Sequence, residues 1–225
     1  PPSRRAVAAS ARRQPSARAA PAADASPRAA DVTPYAPRLR RIRDVVLAGG
    51  VGAYPTEGVW GLGCDPLNAQ ALARLIRLKG RGSEKGLIVI AAGLDQIEAL
   101  VQWPERESVA DAMRASWPGP VTWVMKAAPG LPALLTGGRS TIAVRVTAHR
   151  PVIDLCRATG MALVSTSANR SGHPACRRGW RVRRVFGNQL DWFLPGPLGG
   201  QRGPSEIREA DTGRILRAAA GQPRK

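Results

Sequence analysis

The chain has 225 residues, with 34 Lys and Arg against 16 Asp and Glu, a formal net charge of +18 and only 4% aromatic residues. That length suits one sizeable core, and without any uninterrupted apolar stretch of about 18 residues it excludes a helical membrane span, so a soluble protein with no membrane partner is expected. Three scattered cysteines, Cys64, Cys156 and Cys176, with no C-x-x-C spacing, exclude a disulfide framework and a cysteine zinc module and suit reduced thiols in a cytoplasmic protein.

Residues 1–36 are mostly Ala, Arg, Ser and Pro with almost no large apolar side chains. They cannot bury enough surface to offset their ordering entropy, so a disordered basic arm is expected there. An organellar transit peptide has a similar composition, but prolines at 15, 21, 27 and 34 interrupt any long amphipathic helix. Residues 1–43 hold ten arginines against Asp24 and Asp31, yet the basic excess continues beyond them and favours polyanionic partners.

From Leu39 the pattern turns periodic. Leu39, Ile42, Val45 and Val46 fall at helical spacing and the run stops at Gly49-Gly50. "VGAYPTEGVWGLG" opens as a short strand that breaks at Pro55, and "LNAQALARLIRLKG" is a helix closed by Gly80. "GLIVIAA" is a continuous apolar strand covered on both faces. Helices are expected at 94–101 and 104–116, the second with Pro104 in its first turn. "VTWVMKA", "TIAVRVT" and "ALVSTSA" read as strands, with a helix at 150–159 before the last of them. A basic helix near 177–186 and short strands at "DWFLPG", "SEIREA" and "GRILRA" follow. The interleaving predicts an α/β (α+β) single domain over 37–220, a twisted mixed sheet flanked by helices, with a tail at 221–225.

Chemistry-bearing stretches interrupt this pattern. Lys79, Arg81 and Lys85 stand among glycines in "LKGRGSEKG", a composition that either cradles phosphate or complements a helix C-terminal dipole. The spacing matches neither the P-loop nor the dinucleotide fingerprint. "YPTE" ends a strand with Thr56 beside Glu57, to hold a small polar substrate or to cap a turn. "LVSTSANRSG" runs an apolar strand into Ser165, Thr166, Ser167, Asn169 and Ser171, donors and acceptors suited to sugar, phosphate or carboxylate, or a plain polar loop. Arg145 lies inside an apolar strand on the face of Thr141, Ala143 and Thr147, where it needs an anion, either a structural carboxylate or a ligand. His149 and His173 fall in no catalytic motif, and no acidic cluster suggests a two-metal site.

Taken in order, "AYPTEGVWGLGCDP", "LIRLKGRGSEKGLIVIAA", "WPGPVTWVM", "TIAVRVTAHRPV", "LVSTSANRSGHP" and "GPSEIREADTG" resemble the YrdC/TsaC family, the threonylcarbamoyl-AMP synthases, in their short bacterial form. The resemblance covers about residues 38–218 and implies a YrdC/RibB-like fold. It implies L-threonylcarbamoyladenylate synthesis, a nucleotidyltransferase reaction of L-threonine, bicarbonate or CO2, and ATP with its Mg2+, which releases pyrophosphate. The metal is carried on the phosphates, with no protein metal site. Through the family signature, Lys79 and Arg81 take catalytic roles; Lys79, Arg81, Thr122, Arg145, Ser167 and Asn169 match ATP-binding positions; and Thr56, Thr141 and Ser167 match threonine-binding ones. Arg145 and Thr122 fall near the nucleotide and carboxylate groups. The implied partner is a tRNA-modifying transferase complex that places the product beside the anticodon, and the basic balance allows direct contact with tRNA or double-stranded RNA. The rival from another class is a non-catalytic RNA-binding module of the same fold. Gly82 departs from the proline frequent in relatives, Ile90 replaces a histidine of longer relatives, and the N-terminal arm has no family counterpart.

Overall fold

The helix expected from Leu39 runs over Ala36–Leu47 (α1), burying Leu39, Ile42 and Val46 as its spacing requires. The computed structural model describes residues 36–219, so the expected arm before Ala36 and the tail at 221–225 lie outside the described residues. The described residues belong to one compact unit.

Helix α2, Ala69–Lys79, starts at Asn68, whose side chain accepts from the Ala71 N–H, and ends at Gly80 in the left-handed conformation, φ 59°. Helices α3 (Glu107–Ser116), α4 (Ala133–Thr136), α5 (Arg150–Thr159) and α6 (Gly179–Phe186) follow in chain order. Among the described residues ten strands form one sheet: β1 Gly52–Pro55, β2 Trp60–Gly63, β3 Ile88–Ala91, β4 Val101–Gln102, β5 Val121–Ala127, β6 Thr141–Val146, β7 Leu163–Ser167, β8 Trp192–Phe193, β9 Glu206–Glu209 and β10 Ile215–Arg217. Their order is β10-β9-β5-β6-β3-β7-β2-β1-β8, with β4 paired to β5. Pairs β3/β6, β5/β9 and β1/β8 are parallel and the others antiparallel, the mixed sheet that the interleaved pattern predicts.

Register sorts the side chains into two layers. Trp123, Val144, Val89 and Val164 stand opposite one another across β5, β6, β3 and β7 and join one core with Leu72, Leu75 and Ile76 of α2 and Met113 of α3. Strand alternation puts their neighbours on the other face. There Ile90, Leu163 and Tyr54 pack beneath Leu39 and Val46 of α1 and Val152 and Leu155 of α5. The sheet is thus a central layer with helices on both faces.

Three local expectations are corrected. Residues 94–101 form two short 3-10 turns, Leu94–Gln96 and Glu98–Leu100, before β4, not a helix. A run that short nucleates poorly. Its Gln96 side chain is engaged elsewhere, accepting from the Ala92 N–H and donating to the Cys156 carbonyl, while Val101 is drawn into pairing with Ala127. The next helix begins at Glu107, leaving Pro104 in the preceding loop. Strand β2 went unread because Gly61 and Gly63 erase the side-chain alternation by which strands are recognised.

Candidate functional site

A cleft of about 820 Å3 opens on the face of the sheet that α1 and α5 cover only in part. Its floor carries Thr141, Ala143 and Arg145 of β6, Ile88 of β3, and Ser165 and Ser167 of β7. These are the positions that alternate with the buried valines, so the same pleat that builds one core lays out a row of polar groups behind it. The lining takes in Thr166 of β7, continues past the end of that strand to Asn169, and reaches across to Thr56, Arg81, Lys85 and Arg139. Six cations line it, Arg81, Lys85, Lys126, Arg139, Arg145 and Arg217, against the carboxylates of Glu209 and Asp211. Such a wall concentrates anions.

The basic bend divides its labour. Arg81 Nη1 donates to Thr166 Oγ1 at 3.3 Å and Nη2 to the Gly86 carbonyl at 2.9 Å, which hold its guanidinium on the cleft wall. Burial, opposed by the negative charge of Glu84, lowers its affinity for the proton. Lys79, two residues earlier, is only 4% exposed and stands behind the wall. Its ammonium donates to the Ser167 carbonyl, to the Asn169 carbonyl at 3.0 Å and to Asn169 Oδ1 at 3.4 Å, a full set of acceptors for three N–H bonds. Burial, followed by the charge of Arg81, brings its pKa down to about 8. Ser167 Oγ donates to Asn169 Oδ1 at 2.6 Å, and Asn169 Nδ2 donates to the His173 carbonyl at 2.7 Å. Lys79 therefore clamps the turn that carries the serine and the asparagine.

Six of the eight expected residues, Thr56, Arg81, Thr141, Arg145, Ser167 and Asn169, line this one cleft. Thr122 is fully buried one step behind it, its hydroxyl 3.0 Å from that of Ser205, which does line the cleft. Thr56 Oγ1 donates to the Val59 carbonyl at 2.7 Å, the turn-capping role, while the residue still faces the cleft. Arg145 meets both alternatives considered for it: its Nη2 lies 3.1 Å from Glu57 Oε2, and it lines the cleft.

Two contributors escaped the motif reading. Arg217 holds the Ser205 carbonyl through Nε at 3.1 Å and Nη2 at 2.8 Å and lines the cleft, from a terminal strand whose sequence carries no motif. The loop Gly199–Ser205 crosses Glu57 and Gly58 so closely that a Cβ on Gly58 would stand 1.9 Å from the Gly203 carbonyl oxygen. Only the glycine there, unremarkable among 24, hinted at that crossing.

The described residues contain no group of three His, Cys, Asp or Glu placed to hold a metal ion, and no helix among them is long and apolar enough to cross a membrane.

The site thus lies on the half-open face of a mixed sheet in a protein of the α/β class, in a cleft lined by cations. The sequence model of the Sua5/YciO/YrdC family, described as "Telomere recombination", matches residues 44–219, and the chain belongs to that family. It is 49% identical over 180 residues to the "Threonylcarbamoyl-AMP synthase" of Nitrosococcus oceani, covering 80% of this chain and 97% of that one. Against the protein of the same name from Halorhodospira halophila it is 50% identical, covering 80% and 94%. Among solved structures it is similar to P. abyssi Sua5 complexed with L-threonine, TM-score 0.71 and 29% identity, over 76% of this chain and half of that longer one. E. coli YciO shares the fold, TM-score 0.74 at 22% identity, over 84% of this chain and 93% of that one.

Proposed function

We propose that this protein is an L-threonylcarbamoyladenylate synthase, a nucleotidyltransferase that makes threonylcarbamoyl-AMP and pyrophosphate from ATP, L-threonine and bicarbonate or CO2. The observation that carries the reading is the cleft itself, where six cations face a row of hydroxyl and amide groups with room for a triphosphate. Relatives of about half identical sequence bear the synthase name over nearly their whole length.

The chemistry suits a wall rich in cations and poor in bases. The threonine amine adds to CO2 and loses a proton to give a carbamate. A carbamate oxygen then attacks the α-phosphorus, the bond from that phosphorus to the bridging oxygen breaks, and pyrophosphate leaves with the electron pair. Nucleophile and leaving group are both anionic, so positioning and charge stabilisation dominate. Arg81 stabilises charge on the phosphates; Lys79 adds its positive potential and fixes the turn of Ser167 and Asn169, which receive the nucleotide with Thr122 behind them. Thr56, Thr141 and Ser167 receive threonine, and Arg145 stands at the anionic junction of nucleotide and carboxylate. Mg2+ would arrive with ATP as part of the substrate and supply charge neutralisation on its phosphates.

The product, a reactive mixed anhydride, passes to a transferase complex that modifies the adenosine beside the tRNA anticodon. Direct RNA contact falls to α6. Residues 155–190 include no Asp or Glu, and Arg181, Arg183 and Arg184 are exposed beside Trp180, a cation-and-ring surface suited to a nucleic-acid backbone. The three cysteines, all free and buried, suit the cytoplasm. A purely RNA-gripping module would leave the cleft without a purpose. Incubation with ATP, bicarbonate and threonine decides between them: threonine-dependent pyrophosphate release is expected, and salt-sensitive RNA binding with no release overturns the synthase.

A further inference from the structure

One wall of the cleft is a strap with little of its own to hold it in place. Residues 194–205 run between β8 and β9 without regular secondary structure, and in residues 195–204, "PGPLGGQRGP", seven of ten are Gly or Pro. Such a segment has few side chains to pack, so its position depends on hydrogen bonds made to its backbone. Yet Gln201, Gly203, Pro204 and Ser205 line the cleft. Near the start of the strap the Gly199 N–H donates to the Thr56 carbonyl at 3.1 Å and the Gln201 N–H to the Glu57 carbonyl at 2.9 Å. At its end Arg217 holds the Ser205 carbonyl. Between these ties Arg177 Nη2 donates to the Gln201 carbonyl at 3.2 Å and Nη1 to the Arg202 carbonyl at 2.7 Å.

Arg177 comes to the strap from the opposite wall. It follows Cys176, whose N–H donates to the Ala168 carbonyl at 3.0 Å and whose carbonyl accepts from the Trp60 N–H at 2.8 Å, so its backbone is fixed beside the Ser167–Asn169 turn. Its side chain is exposed and stands outside the cleft lining. Residues 155–190 include no Asp or Glu, so no carboxylate close in sequence competes for the guanidinium.

We propose that Arg177 is a positioning residue: it clasps the strap to the loop between β7 and α6 and thereby sets how long a nucleotide stays in the cleft. The inference rests on the synthase reading for the identity of that nucleotide. Groups assigned to the nucleotide lie on both sides of the clasp, Ser167 and Asn169 on the loop side and Ser205, backed by Thr122, on the strap side. Parting the two walls therefore loosens nucleotide contacts on both. The threonine side is less dependent on the clasp, because Thr141 belongs to β6 and Thr56 is fixed by Val59 and Gly199. The strength of the clasp also suits the role. Two charge-assisted bonds from an exposed guanidinium to neutral carbonyls are weakened by water, enough to slow opening severalfold and too little to lock the cleft. A site that admits ATP and gives up a product needs such a closure.

Dissociation of a fluorescent ATP analogue, N-methylanthraniloyl-ATP, tests this by stopped flow. Arg177→Ala is expected to release it about fivefold faster than wild type, the scale of losing a modest hydrogen-bonded contact, and Arg177→Lys, which keeps one donor to one carbonyl, should recover part of the loss. In steady state the KM for ATP should rise by a similar factor, with smaller changes in kcat and in the KM for threonine. A merely structural role would lower kcat and both affinities together. Limited trypsin digestion reads the strap itself: the Arg202–Gly203 bond should be cut faster in Arg177→Ala than in wild type, and ATP should slow the cut in wild type. Equal dissociation rates for wild type and Arg177→Ala overturn the proposal, whatever the cleavage rates, and so does an equal loss of affinity for both substrates. Failure of the synthase reading looks different. A wild type that releases no pyrophosphate yet holds the analogue longer than Arg177→Ala overturns the reaction and leaves the clasp standing, whereas a wild type that binds no analogue overturns the clasp as well.

Discussion

One face of the sheet shows two outcomes of the same alternation. At one end Ile90, Leu163 and Tyr54 are sealed beneath α1 and α5; at the other, Arg145, Ser165, Ser167 and Thr141 form the floor of the cleft. Ile90 and Arg145 are register partners on adjacent strands, so a single step across the sheet separates a fully buried aliphatic side chain from a cationic wall. The pleat decides which side a residue faces, and helix coverage decides whether that position packs or binds. Stability should therefore reside at the covered end and chemistry at the open one.

The largest expected effect lies at the open end. Arg81→Ala should lower turnover by something like ~10²–10³, the usual loss for one preorganised charge-stabilising donor, while the melting temperature changes little; wild-type turnover in this variant would break the comparison. At the covered end the order reverses. Leu155→Ala should cost about 2–5 kcal/mol of unfolding free energy for a large side chain deleted from a tight core, measured by urea denaturation, with the KM values for ATP and threonine retained. Lys79 belongs to both regimes. Its ammonium is charged below about 8 and neutral above, so kcat should fall as pH rises through that value. The stability sign is opposite: between about 8 and the ordinary lysine range the unfolded chain binds more protons, so the contribution of Lys79 to stability grows with pH. Comparing wild type with Lys79→Met by kinetics and by denaturation at pH 7 and pH 9.5 separates the two. The smallest effect is expected at the partly exposed pair of Arg74 and Asp191, which ties α2 to the entry of β8. Burial raises the Asp191 carboxyl, but Arg74 and the Val51 N–H outweigh it and hold it below its ordinary value. Its contribution is present at neutral pH and is lost as pH falls through the folded value. Arg74→Ala should cost about 1 kcal/mol or less at neutral pH and blunt that acid loss.

How far the sequence could be read follows the same division. Continuous apolar strands, such as "GLIVIAA", and helices closed by glycine, such as α2, are local patterns and were visible as such, although Ile88 of that strand reaches the cleft floor and is only partly covered. Strand β2 and the turns at 94–100 were not, because glycines hid the first and long-range pairing of Val101 with Ala127 reshaped the second. In the cleft, clustered polar groups after an apolar strand stood out, as did an arginine amid valines. Whether Lys79 and Arg81 acted alike could not be read from a two-residue spacing: the helix end turns one inward to carbonyl groups and the other onto the wall. The partnership of Glu57 with Arg145 spans 88 residues of chain and leaves no local trace.

The central claim is that a triphosphate lies between the basic bend and the end of β7. A crystal structure with a non-hydrolysable ATP analogue tests it most directly. The account predicts phosphate oxygens within hydrogen-bonding distance of Arg81 and of the Ser167–Asn169 turn; a nucleotide bound outside this cleft, with both elements untouched, would contradict it.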